Sequence, residues 1–175
     1  MCGISGTVYN RDIPKGIEIK PREILDIISE IKNGKNSSND LLDAAWKYKS
    51  NVNFLRFSRD TNERSAIEDI SISINKLSEE VKEQIPHIDK STSYDVYNKA
   101  VSDYQNLLDA SWFLSIEINR WIEIIEYLSG KSISSLSDEV VVLYKDITKV
   151  INAIDNRLEL RGRDSFGISI TLNSP

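Results

Sequence analysis

Residues 94–128 read YDVYNKAVSDYQNLLDASWFLSIEINRWIEIIEYL, and the spacing of their apolar side chains decides the fold class. Apolar or small residues return at Tyr94, Tyr97, Val101, Tyr104, Leu108, Ser111, Leu114, Ile118, Trp121, Ile125 and Leu128. Steps of three and four follow the turn of an α-helix and not the two-residue alternation of a strand. At about 1.5 Å per residue, one helix over this stretch is roughly 50 Å long, which predicts an elongated hairpin or bundle.

The same period extends to both sides. Upstream, Ile67, Ile70, Ile74, Leu77, Val81, Ile85 and Ile88 form a nearly heptad stripe, with Pro86 near its end. Leu41, Ala45, Tyr48, Val52 and Leu55 read as one helix begun by the capping pair Asn39 and Asp40. Ile24, Ile27, Ile28 and Ile31 lie between Pro21, suited to a first helical turn, and the stop residue Gly34. Downstream, Gly130 and the serine-rich KSISSLS make a loop. Ser137 is the predicted cap of a last helix, Asp138 and Glu139 favour its positive end, and Val140, Leu143, Ile147, Val150, Ile154 and Leu158 line one face. Trp46, Trp112 and Trp121 are expected in the core.

Composition narrows the function classes. The chain has 175 residues, 40% of them hydrophobic and 28% charged, as expected of a soluble domain with a core. A net charge of -5 without a basic run argues against nucleic acid. No apolar run spans a bilayer and no secretory leader is legible, which predicts a cytoplasmic protein without membrane contact. One cysteine and one histidine predict neither a disulfide nor a zinc site, and His87 reads as a residue at a helix end. No cofactor is expected.

Two segments outside the helical pattern have strand character: CGISGTVYN from Cys2 to Asn10, and SFGISITL from Ser165 to Leu172. Alone, Cys2 reads as a small buried hydrophobe. Paired with NRLELRGRDSFGISI at Asn156 to Ile170, however, MCGISG resembles the opening of the class-II glutamine amidotransferases, N-terminal-nucleophile (Ntn) hydrolases with cysteine as first mature residue. The wording is most similar to glutamine:fructose-6-phosphate aminotransferases, the glucosamine-6-phosphate synthases, although Arg163 stands where a tyrosine is usual.

The chemistry accounts for the cysteine. Once Met1 is removed, the α-amine of Cys2 would have a pKa of about 7.7–8.0, suited to taking the proton of its own thiol. The thiolate would attack the carboxamide of L-glutamine, release ammonia and leave a glutamyl thioester for water. The resemblance implies that Arg161 and Gly162 support the nucleophile's surroundings, and that Asp164 and Ser165 match the same motif with a role in turn geometry and strand entry. It implies a sugar phosphate as ammonia acceptor, bound by parts of the parent protein that this sequence does not show.

The expected architecture is mainly α: an elongated bundle of about five helices, with a small two-stranded antiparallel sheet formed by the chain ends as a partial Ntn-hydrolase fold. Residues 1–10 and 137–175 form the partial amidotransferase domain, and residues 11–136 a helical insertion whose ends must emerge close together. The chain reads as the N-terminal part of the enzyme, inactive as an isolated fragment. The competing reading is a helical interaction or assembly module with vestigial catalytic flanks. Heptad-like helices also pair between chains, which leaves a homo-oligomer open.

Overall fold

The structure, a computed structural model, describes residues 16–87 and 94–157, with side chains through residue 149. Seven α-helices occur among them: α1 Pro21–Lys32, α2 Ser38–Lys47, α3 Asn51–Arg59, α4 Thr61–Gln84, α5 Tyr94–Trp112, α6 Ile118–Ser129 and α7 Asp138–Arg157. The five residues Phe113–Glu117 between α5 and α6 are π-helical, so Tyr94 to Ser129 is one continuous rod. Short 3₁₀ turns occupy Ile85–His87 and Ile133–Ser135.

Local chemistry accounts for the boundaries. Pro21 takes the first position of α1, and Gly34, at φ 70°, closes the turn after it. A reciprocal cap starts α2: the Ser37 hydroxyl accepts from the amide of Asp40, whose carboxylate accepts from the amide of Ser37. Asp60 starts α4 by accepting from the amide of Asn62 at 2.8 Å. Gly130, at φ 63°, ends the long rod.

Antiparallel α4 and α5 form the central hairpin, and the Ser111 hydroxyl donates to the carbonyl of Ser71 across it at 3.3 Å. On one flank of α5 lies α2, joined by Ser38 donating to Asp103 at 2.6 Å and Asn106 donating to Asn39 at 2.7 Å. α1 packs on α4, α3 on α4 and α7, and α6 on α7. The core runs through Tyr48, Phe54, Ile70, Leu114, Trp121 and Ile125, all buried. A fully buried isoleucine or phenylalanine contributes roughly 1.5–3 kcal/mol, so this core stabilises the bundle far more than its exposed ion pairs do.

Several expectations are corrected. The two-stranded antiparallel sheet and the partial Ntn-hydrolase fold are not seen: every regular element among the described residues is helical, with no strand or sheet. The segments assigned to that sheet, Cys2–Asn10 and Ser165–Leu172, lie outside the described residues, as does Ile88. The helix expected over Leu41 to Leu55 is two helices, α2 and α3, broken at Tyr48–Ser50. Amides of Tyr48, Lys49 and Ser50 there bond three residues back, which tightens the last turn and leaves carbonyls free for side chains.

Trp46 and Trp112 are not core residues, being 47% and 50% exposed, whereas Trp121 is 2% exposed. The buried face of α7 also differs from the expected stripe. Val141, Val142, Lys145 and Thr148 turn toward the bundle, while Val140, Leu143 and Ile147 are half-buried and are not part of the packing around the core. Burying a lysine is possible here because oxygen acceptors meet its ammonium group.

Candidate functional site

Polar side chains converge on α3 and the turn before it. The break after α2 brings the carbonyls of Lys47 and Lys49 within reach of side chains, and each accepts from one, Lys47 in addition to the amide of Ser50. Asn53, fully buried one turn into α3, donates its amide nitrogen to the carbonyls of Lys47 at 2.8 Å and Ile17 at 2.9 Å, and to the Ser50 hydroxyl at 2.9 Å. Its oxygen accepts from the amide of Ile19 at 3.0 Å. With two hydrogens for three acceptors, the amide group shares them. Asn53 thus holds the extended segment before α1 as a neighbouring backbone would.

Arg56, one turn further, holds the same segment. Its guanidinium donates to the carbonyl of Ile19, pairs with Glu18 at 2.8 Å, and meets Glu63 of α4 at 2.9 Å. Glu63 also accepts from the hydroxyl of buried Tyr48 at 2.7 Å. Burial, with Glu63 as bond partner and charge, raises the Tyr48 pKa against the opposing Arg56. Burial would lower Arg56, but its contacts with Glu63 and Tyr48 raise it. In the trio, buried Tyr48 and Glu63 and half-buried Arg56 leave no charge unpaired, the arrangement that makes such a group stable.

Lys145 approaches from the other side. Fully buried on α7, it donates to the carbonyl of Lys49 at 2.6 Å and to the side-chain oxygen of Asn51 at 2.6 Å, with its ammonium 5.3 Å from the centre of the Phe54 ring. Burial, reinforced by nearby Lys149 and opposed by Asp146, pushes its pKa down to about 7. Arg59, at the end of α3, donates to Asp138 at 2.6 Å and to the carbonyl of Leu136 at 2.7 Å. Asn51, Asn53, Phe54, Arg56 and Arg59 therefore connect one short helix both to the segment by which the chain enters the bundle and to the helix by which it leaves.

Beside this turn the Lys49 ammonium lies 5.1 Å from the Trp46 ring and 4.9 Å from the Phe113 ring. Phe113 and Phe54 stack edge-on against Trp121 at 5.8 and 5.7 Å. Glu117, at the end of the π-helical stretch, has its pKa raised by burial against the opposing charge of Lys49. An open groove of roughly 600 Å³ runs between α1 and α2, lined by Ile27, Asn36, Asp40, Asp43, Trp46 and Lys47.

Cys2, Arg161, Gly162, Asp164 and Ser165, the site residues expected from sequence, all lie outside the described residues, so the structure does not bring them together. Among the described residues no group of histidine, cysteine and carboxylate side chains is arranged to hold a metal ion, and no helix is long and apolar enough to cross a membrane. Asn53, Arg56 and Lys145 were not singled out from sequence. The available signal was Lys145 itself, four residues after Val141 and three before Thr148, a charge on the same helical face as Val141, Val142 and Thr148. No family model, no curated protein and no solved structure matches this chain.

Proposed function

We propose that this chain carries the nucleophile of a glutamine-dependent amidotransferase, with Cys2 hydrolysing L-glutamine and the ammonia passing to a sugar phosphate of the fructose 6-phosphate kind. The paired motifs support the chemistry: Cys2 in MCGISG, and Arg161, Gly162, Asp164 and Ser165 in LELRGRDS. After removal of Met1, the amine of Cys2 accepts the thiol proton and the sulfur adds to the carboxamide carbon. The amine then returns the proton to the departing ammonia, and water cleaves the thioester.

The observation that carries the reading is the two-sided α7. Its bundle face bears Val141, Val142, Lys145 and Thr148, and its other apolar stripe, Val140, Leu143 and Ile147, lies away from the core. A helix belonging only to the bundle has little use for a second apolar stripe. A helix shared between an inserted bundle and an amidotransferase body needs one. The convergence of Gly16 and Lys145 on residues 49–51 also favours an insertion, because both ends then reach the same place.

The test is ammonia release by the full-length gene product with Met1 removed, compared with its Cys2→Ala variant, with and without fructose 6-phosphate. The expected result is Cys2-dependent hydrolysis that the sugar phosphate stimulates. A folded protein with a free amino-terminal cysteine and no such hydrolysis would overturn the reading.

The second reading, an interaction or assembly module, is favoured by exposed apolar side chains: Trp46, Trp112, Ile116 and Tyr127, the last 85% exposed. Mass by light scattering that rises with concentration, and falls back in a Trp112→Ser variant, would support it. A constant monomer mass counts against self-association.

A further inference from the structure

We infer that the outer face of the long rod is a seam on which a second copy of this chain docks, antiparallel and with the two-fold axis at Trp112. The inference rests on the reading of an assembly module and names the partner of that surface. Tyr104, Leu108, Trp112, Ile116 and Arg120 follow one another at steps of four residues through α5, the π-helical stretch and the start of α6. Steps of four place them turn after turn on one side of the rod. Tyr104 is half-buried and the other four are exposed. The side turned to the bundle is formed instead by Leu107, Ala110, Leu114, Ile118 and Trp121, all buried.

The order of the ridge identifies what covers it. In an antiparallel pair centred on Trp112, residues equally far before and after it lie opposite one another, and the same patch serves both copies. Trp112 then meets its own counterpart, and Leu108 of one copy meets Ile116 of the other on both sides of the axis. One turn further out, the ring of Tyr104 receives the guanidinium of Arg120. Near the ends, Tyr97 falls opposite Tyr127, the most exposed large hydrophobic side chain among the described residues. The ridge is thus complementary to itself when reversed.

Charge selects the same arrangement. The rod carries carboxylates at Asp95, Asp103, Asp109, Glu117, Glu123 and Glu126. In the antiparallel pair none of them falls opposite another: Asp109 meets Ser115, for example, and Glu123 meets Val101. A parallel pair in register would set every one of them against its own copy, and juxtaposed like charges oppose association. The area is sufficient. A rod about 50 Å long and about 10 Å across offers roughly 500 Å² on each copy, about 1,000 Å² in all, where specific interfaces begin. Tryptophan, tyrosine and arginine, which stand at its centre, are the side chains that most often anchor such interfaces.

The test uses the full chain. Its mass by light scattering should rise with concentration to twice that of the monomer. Ile116→Glu, which sets a carboxylate against Leu108 of the other copy, should raise the concentration of half-association by about tenfold or more. Leu25→Glu, at a side chain of similar exposure on α1, should leave it unchanged. Orientation is read from disulfides in the Cys2→Ser background. A mixture of Leu108→Cys and Ile116→Cys chains should oxidise with glutathione disulfide about tenfold faster than either variant alone. In the antiparallel pair, identical positions lie about 12 Å apart along the axis, beyond the reach of a disulfide.

A mass that stays monomeric at every concentration would overturn the seam and leave assembly only with a different protein. A concentration-dependent mass that Ile116→Glu does not change would overturn the seam while the assembly reading stands. So would Leu108→Cys chains that link to each other as fast as to Ile116→Cys chains, because the pair would then be parallel.

Discussion

Lys145 shows how one side chain can make stability depend on pH. Its folded pKa, about 7, lies below the value near 10.4 of an unfolded lysine. Between those limits the unfolded chain holds one proton more than the folded chain, so raising the pH favours folding. Below pH 7 both states are charged and the contribution is flat. Tyr48 acts in the opposite direction at the alkaline end: its raised pKa stabilises the fold below about pH 10 and is lost above it. Urea midpoints of the wild type should therefore rise from pH 7 towards pH 10 and then fall. In Lys145→Met the rise should be absent or much smaller, and a slope equal to wild type would show that Lys145 is not its source. A tenfold change in proton affinity is about 1.4 kcal/mol, within reach of such titrations.

Among the elements, α7 gives the sharpest contrast. Val141→Ala should cost about 2 kcal/mol or more of bundle stability, because it removes packed methyl groups from the face turned inward. Val140→Ala, on the stripe that does not join the core, should cost less than half as much in the same denaturation series. Equal losses would mean that α7 presents both faces to the bundle. The helices show what could be read in advance. Periodicity placed α1, α4 and the long rod, since Ile24, Ile70 and Ile125 recur at helical intervals and are buried. It passed over the break at Tyr48–Ser50, because Leu41, Ala45 and Leu55 keep a helical rhythm through it, while the carbonyls of the turn are met by the nearby side chain of Asn53 and by Lys145, a partner distant in sequence. It chose the wrong face of α7 because a lysine on the buried side does not count as apolar, and only the tertiary acceptors at Lys49 and Asn51 make its burial affordable. Of the proposed site, the motif around Cys2 and Arg161 lies outside the described residues, whereas the hydrogen bonds of Asn53, Arg56 and Lys145 depend on contacts that no local pattern announces.

At the level of the whole molecule, the tryptophans report the fold independently. Trp121 sits between Phe54 and Phe113 in the core, while Trp46 and Trp112 are half exposed. The Trp46→Phe, Trp112→Phe double variant should emit at shorter wavelength than wild type and resist quenching by acrylamide. Quenching as efficient as in wild type would mean that the core around Trp121 is open. The π-helical stretch determines how the halves of the long rod face their neighbours: α5 addresses α4 and α2, and α6 addresses α7. Such a stretch contains one residue more than the regular helix that would give its flanks the same bearing. A gene that lost the codon for Ile116, an exposed residue of this stretch, would encode a plain helix with both flanks still facing their partners. Loss of one codon elsewhere in α5 or α6 would turn everything beyond it by about 100°. The surplus residue thus makes Phe113–Glu117 the one part of the rod where the reading frame of the packing survives a deletion.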